Sequence, residues 1–187
     1  MDKATRGFSL IELLVTLMVL AALVSLAMPI LGQLEKRRLI GAAEAVYSEF
    51  QFAKSEAIKQ SRNMHVDVRE GTSWCVGVSD EAGCDCTITD PDNANACTVS
   101  VYDVTNDQDE DVLRTIRGEE FGDVTMLAGT TFTEEFDSLR GTLTDAAGNT
   151  VELQSADGLR LDVVISRMGR IRLCGPNEPV GGYPQCP

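Results

Sequence analysis

Gly7-Phe8-Ser9-Leu10-Ile11-Glu12-Leu13-Leu14-Val15 opens an apolar run that continues to Leu31. A short leader before it carries Lys3 and Arg6. From Leu13 to Leu31 only Thr16, Ser25 and Pro29 interrupt the hydrophobic character. A bilayer core needs roughly 20 apolar residues at about 1.5 Å rise each, so the run predicts a membrane span. Backbone polar groups in lipid must pair within the segment, which predicts a helix. Glu12 is the odd residue. An Asp at the centre of a span costs roughly 2.5–3.5 kcal/mol, and a position near the end costs less. A partner charge offsets the cost further. Cleavage after Gly7 creates one, the α-amino group of Phe8, and that amine can belong to a neighbouring copy in an assembly. Two other readings compete: an ordinary single-span anchor, and a secretory signal peptide. The latter places small residues at a cleavage site after the apolar core.

The same residues resemble the processing site of type IV pilins and type II secretion pseudopilins. The resemblance implies that a prepilin peptidase cuts after Gly7 and methylates the new N-terminal Phe8. It implies that Glu12 contacts a neighbouring N-terminus during assembly. Pro29 falls where many members of that group carry a helix-kinking proline.

The 187 residues suffice for one anchor helix and one modest domain. Formal charge is −13, and loss of residues 1–7 with Asp2, Lys3 and Arg6 removes a net +1 and leaves −14. Such a field disfavours nucleic acid and anionic lipid as general partners of the head. The basic leader puts the N-terminus in the cytoplasm and the remainder outside. All six cysteines, Cys75, Cys84, Cys86, Cys97, Cys174 and Cys186, follow the span. An even number in a small exported domain predicts disulfides, with 15 pairings open by arithmetic. Cys174 with Cys186 closes the C-terminal loop. Cys75 with one of Cys84 and Cys86, and Cys97 with the other, is the natural local arrangement. Zinc held by these four is the alternative, against the spacing and the oxidising compartment.

Beyond the span, Leu34, Leu39, Ala42, Ala43, Val46, Phe50, Ala53, Ala57 and Ile58 recur at three- and four-residue steps. Glu35, Lys36, Arg37, Arg38, Glu44, Glu49, Lys54, Glu56 and Lys59 are expected on the opposite face. One helix from about Ser9 to Ser61 results, with a bend expected at Pro29–Gly32 and a sheet packed on its second half. Alternation then predicts strands at 64–68, 73–78, 98–104, 112–116, 125–132, 134–139, 141–144, 150–153, 159–165 and 170–174. Residues 79–97 form a stapled loop, and Asn106–Asp111 an acidic tip. The expected divisions are a leader (1–7), a transmembrane helix (8–31), its amphipathic continuation (32–62) and a disulfide-stapled head (63–187).

The resemblance extends to the head. The long helix, the Ser73-Trp74-Cys75-Val76-Gly77-Val78 strand and the terminal Gly169-Arg170-Ile171-Arg172 resemble the GspH/FimT group of minor pilins and pseudopilins. This implies an α+β fold, with a β-sandwich-like head of short antiparallel strands packed on the long helix. It implies a subunit that primes or caps a pilus or secretion pseudopilus, stored in the inner membrane with a periplasmic head. Its partners would be other major and minor pilins or pseudopilins, the prepilin peptidase and the inner-membrane assembly platform. Some members of the group bind DNA through a Gly-Arg-x-Arg motif, which Gly169, Arg170 and Arg172 match. Here residues 67–157 hold 21 acids against four arginines, whereas 158–187 hold two acids against four arginines. Two arginines contribute only weak, salt-sensitive affinity, so a solvated strand face is the favoured reading of the pair. Asp107–Asp111 resembles half a calcium loop, but Val112 stands where such a loop needs glycine, so an acidic turn is favoured. His65 is the single histidine and is read as a strand residue, while Trp74 is read as a core aromatic. A Ser-His-Asp hydrolase is improbable with one histidine, no enzymatic activity is expected, and no cofactor or metal is implied.

Overall fold

The computed structural model describes residues 9–105, 107–145 and 147–187, with the backbone alone over 24–32. Two compact units divide it, Met1–Leu34 and Glu35–Pro187. A single helix, α1, runs Leu10–Gln60 through both. Between Leu10 and Leu23 its large apolar side chains are uncovered, from 45% exposed at Leu14 to 82% at Leu10. Among the described residues no helix is long and apolar enough to cross a membrane. The expected span includes Phe8 and residues 24–31, whose side chains are not described. Pro29 lies within α1.

The second unit is built on the rest of α1. Leu39, Ala42, Ala43, Val46, Phe50, Ala53 and Ala57 are all fully buried. Steps of three and four put them on one stripe of a 3.6-residue helix. Four alanines in that stripe let the sheets approach the helix backbone closely. The ends of the stripe differ from expectation: Leu34 is 42% and Ile58 47% exposed, because both flank the stripe rather than centre it. Glu49 and Glu56 also correct the expectation of an outer charged face, since both are buried. The helix stops in a Schellman pattern, Ser61 N–H donating to Ile58 O and Arg62 N–H to Ala57 O. Ser61 takes the left-handed turn at φ 53°.

Among the described residues ten strands follow: β1 (Met64–Arg69), β2 (Cys75–Ser79), β3 (Thr98–Asp103), β4 (Gln108–Leu113), β5 (Thr115–Arg117), β6 (Thr125–Met126), β7 (Phe132–Phe136), β8 (Asn149–Gln154), β9 (Arg160–Ile165) and β10 (Ile171–Cys174). One antiparallel sheet has the order β5-β2-β1-β7, a second the order β10-β9-β8-β6, and β3 with β4 makes a separate hairpin. One continuous core joins the helix stripe to both sheets, through Met64, Val66 and Val68 of β1, Val151 and Leu153 of β8, and Leu161, Val163 and Ile165 of β9. Trp74 is completely buried, stacks on Phe121 at 5.7 Å between centroids, and donates its indole N–H to Val124 O at 2.8 Å. A buried indole needs such a partner.

The first sheet is covered on both faces, and every residue of β2 is buried. Its outer cover is the loop stapled by Cys75–Cys86 and Cys84–Cys97, which forms a small sulfur-rich cluster of its own. Gly77 makes room for it: a Cβ there would fall 2.2 Å from Cys97 Sγ. Several strand boundaries depart from the alternation. The acidic tip is largely strand, because Asp109, Glu110 and Asp111 pair with Tyr102, Val101 and Ser100. Of the expected 125–132 strand only Thr125–Met126 pair as β6, while Phe132 opens β7 opposite Val68; β7 ends at Phe136 rather than 139, and 141–144 is reduced to one bridge between Phe136 and Leu143.

Candidate functional site

The N-terminal site is described from Ser9 onward, and Gly7 and Phe8 lie outside the described residues. Ser9 O accepts the N–H of Glu12 at 3.0 Å and of Leu13 at 3.2 Å, which starts the helix. Glu12 therefore sits in the first turn, exposed, where the helix dipole favours a carboxylate. Nothing in the chain neutralises it among the described residues: no ion pair within 4.0 Å involves it.

The C-terminal site centres on the turn between β9 and β10. Ser166 and Arg170 close it, with Ser166 N–H donating to Arg170 O at 2.9 Å and Gly169 N–H to Ser166 O at 2.8 Å. Gly169 is held by geometry. Its φ is +67°, and a Cβ would fall 2.0 Å from Gly141 O. Its own carbonyl accepts the Lys54 Nζ proton at 2.8 Å. The glycine of the Gly-Arg-x-Arg motif thus serves packing between two turns. Arg170 and Arg172 are exposed while Ile171 and Leu173 between and beyond them are buried, so both guanidinium groups leave the same face of the edge strand. Arg160 is spent elsewhere, paired with Glu152 and 4.0 Å from Asp162.

All six cysteines are consumed, the third bridge being Cys174–Cys186, so no thiolate remains for zinc. That last loop folds back on α1. Tyr183 donates its hydroxyl proton to Glu44 at 2.6 Å, which with burial pushes the phenol up to about 12. Val180 is buried, and a Cβ at Gly181 would fall 2.2 Å from Ile40 Cδ1. Of the acids that sequence reasoning left at the surface, Glu49 lies 3.1 Å from Arg114 Nε, and Arg114 caps the Phe52 ring at 4.2 Å. Burial pushes the Glu49 carboxyl up, and Arg114 pulls it partly back. Asp162 is raised to about 6, by burial first, with Arg160 opposing and Glu152 adding. Among the described residues no group of three His, Cys, Asp or Glu side chains is placed to hold a metal.

A long N-terminal helix with uncovered apolar side chains from Leu10 to Leu23, followed by a disulfide-stapled antiparallel head, defines the pilin-type class of subunit. Residues 2–28 match the prokaryotic N-terminal methylation motif, and residues 42–169 match the type II transport protein GspH. The chain belongs to that GspH family. Two crystal structures of the type IV minor pilin FimU from Pseudomonas aeruginosa, strain PAO1, share the fold at 20% identity. Each superposes with a TM-score of 0.51 and together they cover 80% and 78% of this chain and 98% and 100% of their own. No curated protein matches.

Proposed function

We propose that this chain primes or caps a type IV pilus or a type II secretion pseudopilus. In this reading Phe8 to Leu31 stores it in the inner membrane, N-terminus in the cytoplasm and head in the periplasm. The prepilin peptidase cuts after Gly7 and methylates Phe8. Glu12 then pairs with the amine of a neighbouring subunit as the helix leaves lipid for the filament core, on an inner-membrane assembly platform. The observation that carries the reading is the row of uncovered apolar side chains from Leu10 to Leu23, with Glu12 in the first turn and no ion pair to it among the described residues. A surface this apolar must be covered by lipid or by other helices. Glu12→Ala is expected to be cleaved but to assemble poorly, measured by mass spectrometry of the mature form and by its yield in sheared filaments. Normal assembly of that variant removes the role given to Glu12. Gly7→Val is expected to keep its leader, and mature-length protein from it would point to another protease.

The second reading is DNA uptake through Arg170 and Arg172. It is supported by their shared exposed face and opposed by the net charge of −13. A mobility-shift titration of oxidised residues 35–187 at two salt concentrations decides it. Binding that weakens with salt and vanishes in Arg170→Ala/Arg172→Ala supports DNA; no shift at low salt removes it.

A further inference from the structure

We propose that the two abutting turns 137–141 and 166–170 form a docking surface for the acidic flank of a second copy of this chain. The turns meet through Gly169 against Gly141 O, and Leu143 N–H donates to Arg167 O at 3.1 Å. Lys54 and Ile58 of α1 lie against Gly141. Three apolar side chains stand out from this small area: Leu139 is 82% exposed, Met168 72% and Ile58 47%. Around them are Arg140, Arg167, Arg170 and Arg172. In a chain with 29 acids, Arg38, Arg62, Arg69, Arg114 and Arg160 each have an acid within 4.0 Å. Arg37, Arg117, Arg140, Arg167, Arg170 and Arg172 have none among the described residues; of these, Arg140, Arg167 and Arg170 belong to the two abutting turns, and Arg172 shares the exposed face of Arg170. Exposed apolar residues rimmed by arginine are the composition of a protein contact, and Met and Arg are enriched there. Duplex DNA would use the arginines but leave Leu139 and Met168 unexplained.

The complementary surface is on the same chain. A groove of about 960 Å³ is lined by Asp80, Glu81, Asp92, Asp109, Glu110 and Asp111, together with small residues such as Ala82, Ala94 and Ala96. Its one basic lining residue, Arg62, is already held by Asp80 at 2.7 Å. The two surfaces leave different flanks of α1. Lys54 touches the basic turns, whereas Gln60 donates to Ser100 O in the hairpin that carries the acids. At about 100° per residue those two positions face well apart. A contact between unlike surfaces is heterologous, so it does not close into a two-fold dimer and can repeat along a row of subunits. Charge complementarity would fix its register and make it salt-sensitive.

The test uses the full-length chain in its membrane, with the photo-reactive p-benzoylphenylalanine replacing Met168. Irradiation is expected to give a covalent dimer whose cross-linked peptide falls within residues 79–96 or 108–111. Triple reversal Arg140→Glu/Arg167→Glu/Arg170→Glu should cut the yield by about tenfold, a loss typical of several charge pairs. Co-expressed Asp109→Lys/Glu110→Lys/Asp111→Lys should restore it. The contact joins heads, so the dimer is also expected in the unprocessed Gly7→Val background, which separates its failure from failure of the pilin reading. A dimer mapped elsewhere, adducts to other proteins alone, a yield insensitive to charge reversal, or loss of the dimer when a DNA fragment is added would each overturn the proposal.

Discussion

The two halves of α1 are both apolar, and the structure treats them oppositely. In the first half Leu10, Ile11, Leu13, Leu17 and Leu20 are more than half exposed; in the second, Leu39, Val46 and Phe50 are fully buried. The difference is one of pattern. The first half is apolar on nearly all sides, so no single packed layer can cover it. The second is apolar on one stripe, which two sheets cover completely. One half folds a domain, and the other, from Leu10 to Leu23, has no cover among the described residues.

The sharpest way to break that contrast is to shorten one side chain in each half. Phe50→Ala removes a ring that packs on Phe132 and Phe136, with centroids 6.5 and 6.4 Å away. It should destabilise the head by about 3–5 kcal/mol in urea unfolding. Leu20→Ala should change head unfolding by less than about 0.5 kcal/mol and show itself only in membrane retention or filament yield. Comparable losses in both would mean that the first half is covered within the chain. Next in size, Cys174→Ser/Cys186→Ser opens a loop with a sequence separation of 12. It should cost about 3 kcal/mol, with Val180 and Tyr183 becoming accessible to hydrogen exchange. The smallest effect concerns Asp162, whose folded-state pKa of about 6 exceeds its ordinary 3.8 because burial disfavours the charge. The folded state then binds the proton more tightly than the unfolded state. Stability should therefore fall as pH rises from about 4 to about 6 and level off above. Asp162→Asn should flatten that decline and add about 1–2 kcal/mol at neutral pH, since Oδ1 has no hydrogen-bond partner in the wild type. An unchanged slope would assign the decline to another carboxylate, of which buried Glu134, also raised by burial, is the first candidate.

The helix and most strands were legible because their side chains alternate between two environments at fixed periods. Leu39 to Ala57 and Val151 to Leu153 announce their buried faces. Legibility ended where one residue type occupied both faces. Gln108–Asp111 reads as a loop because all four residues are polar and exposed, yet backbone pairing with β3 makes it a strand. Glu49 is buried because Arg114, 65 positions away, arrives beside it, which no local pattern encodes. The candidate site was legible in part. Arg170 and Arg172 stood out by spacing, but Leu139 and Met168 did not, because an isolated apolar residue in a turn is ordinary. A signal was present: Leu139-Arg140-Gly141 and Arg167-Met168-Gly169 each combine one arginine, one large apolar residue and a glycine, and the two glycines are the point of contact.

The C-terminal loop has a mechanical consequence. In the function proposed above, a subunit drawn out of a membrane by its helix would bear load along the helix axis, and the weakest response of a domain so loaded is to peel from one end. The strap from Cys174 to Cys186 returns the last residues of the chain to Ile40 and Glu44, close to where the second unit begins. Tension entering there is shared at once with β10 and the sheet behind it. Under such load the head would resist in shear, in which many contacts must yield together, and the covalent clasp closes the loop that reaches Ile40 and Glu44.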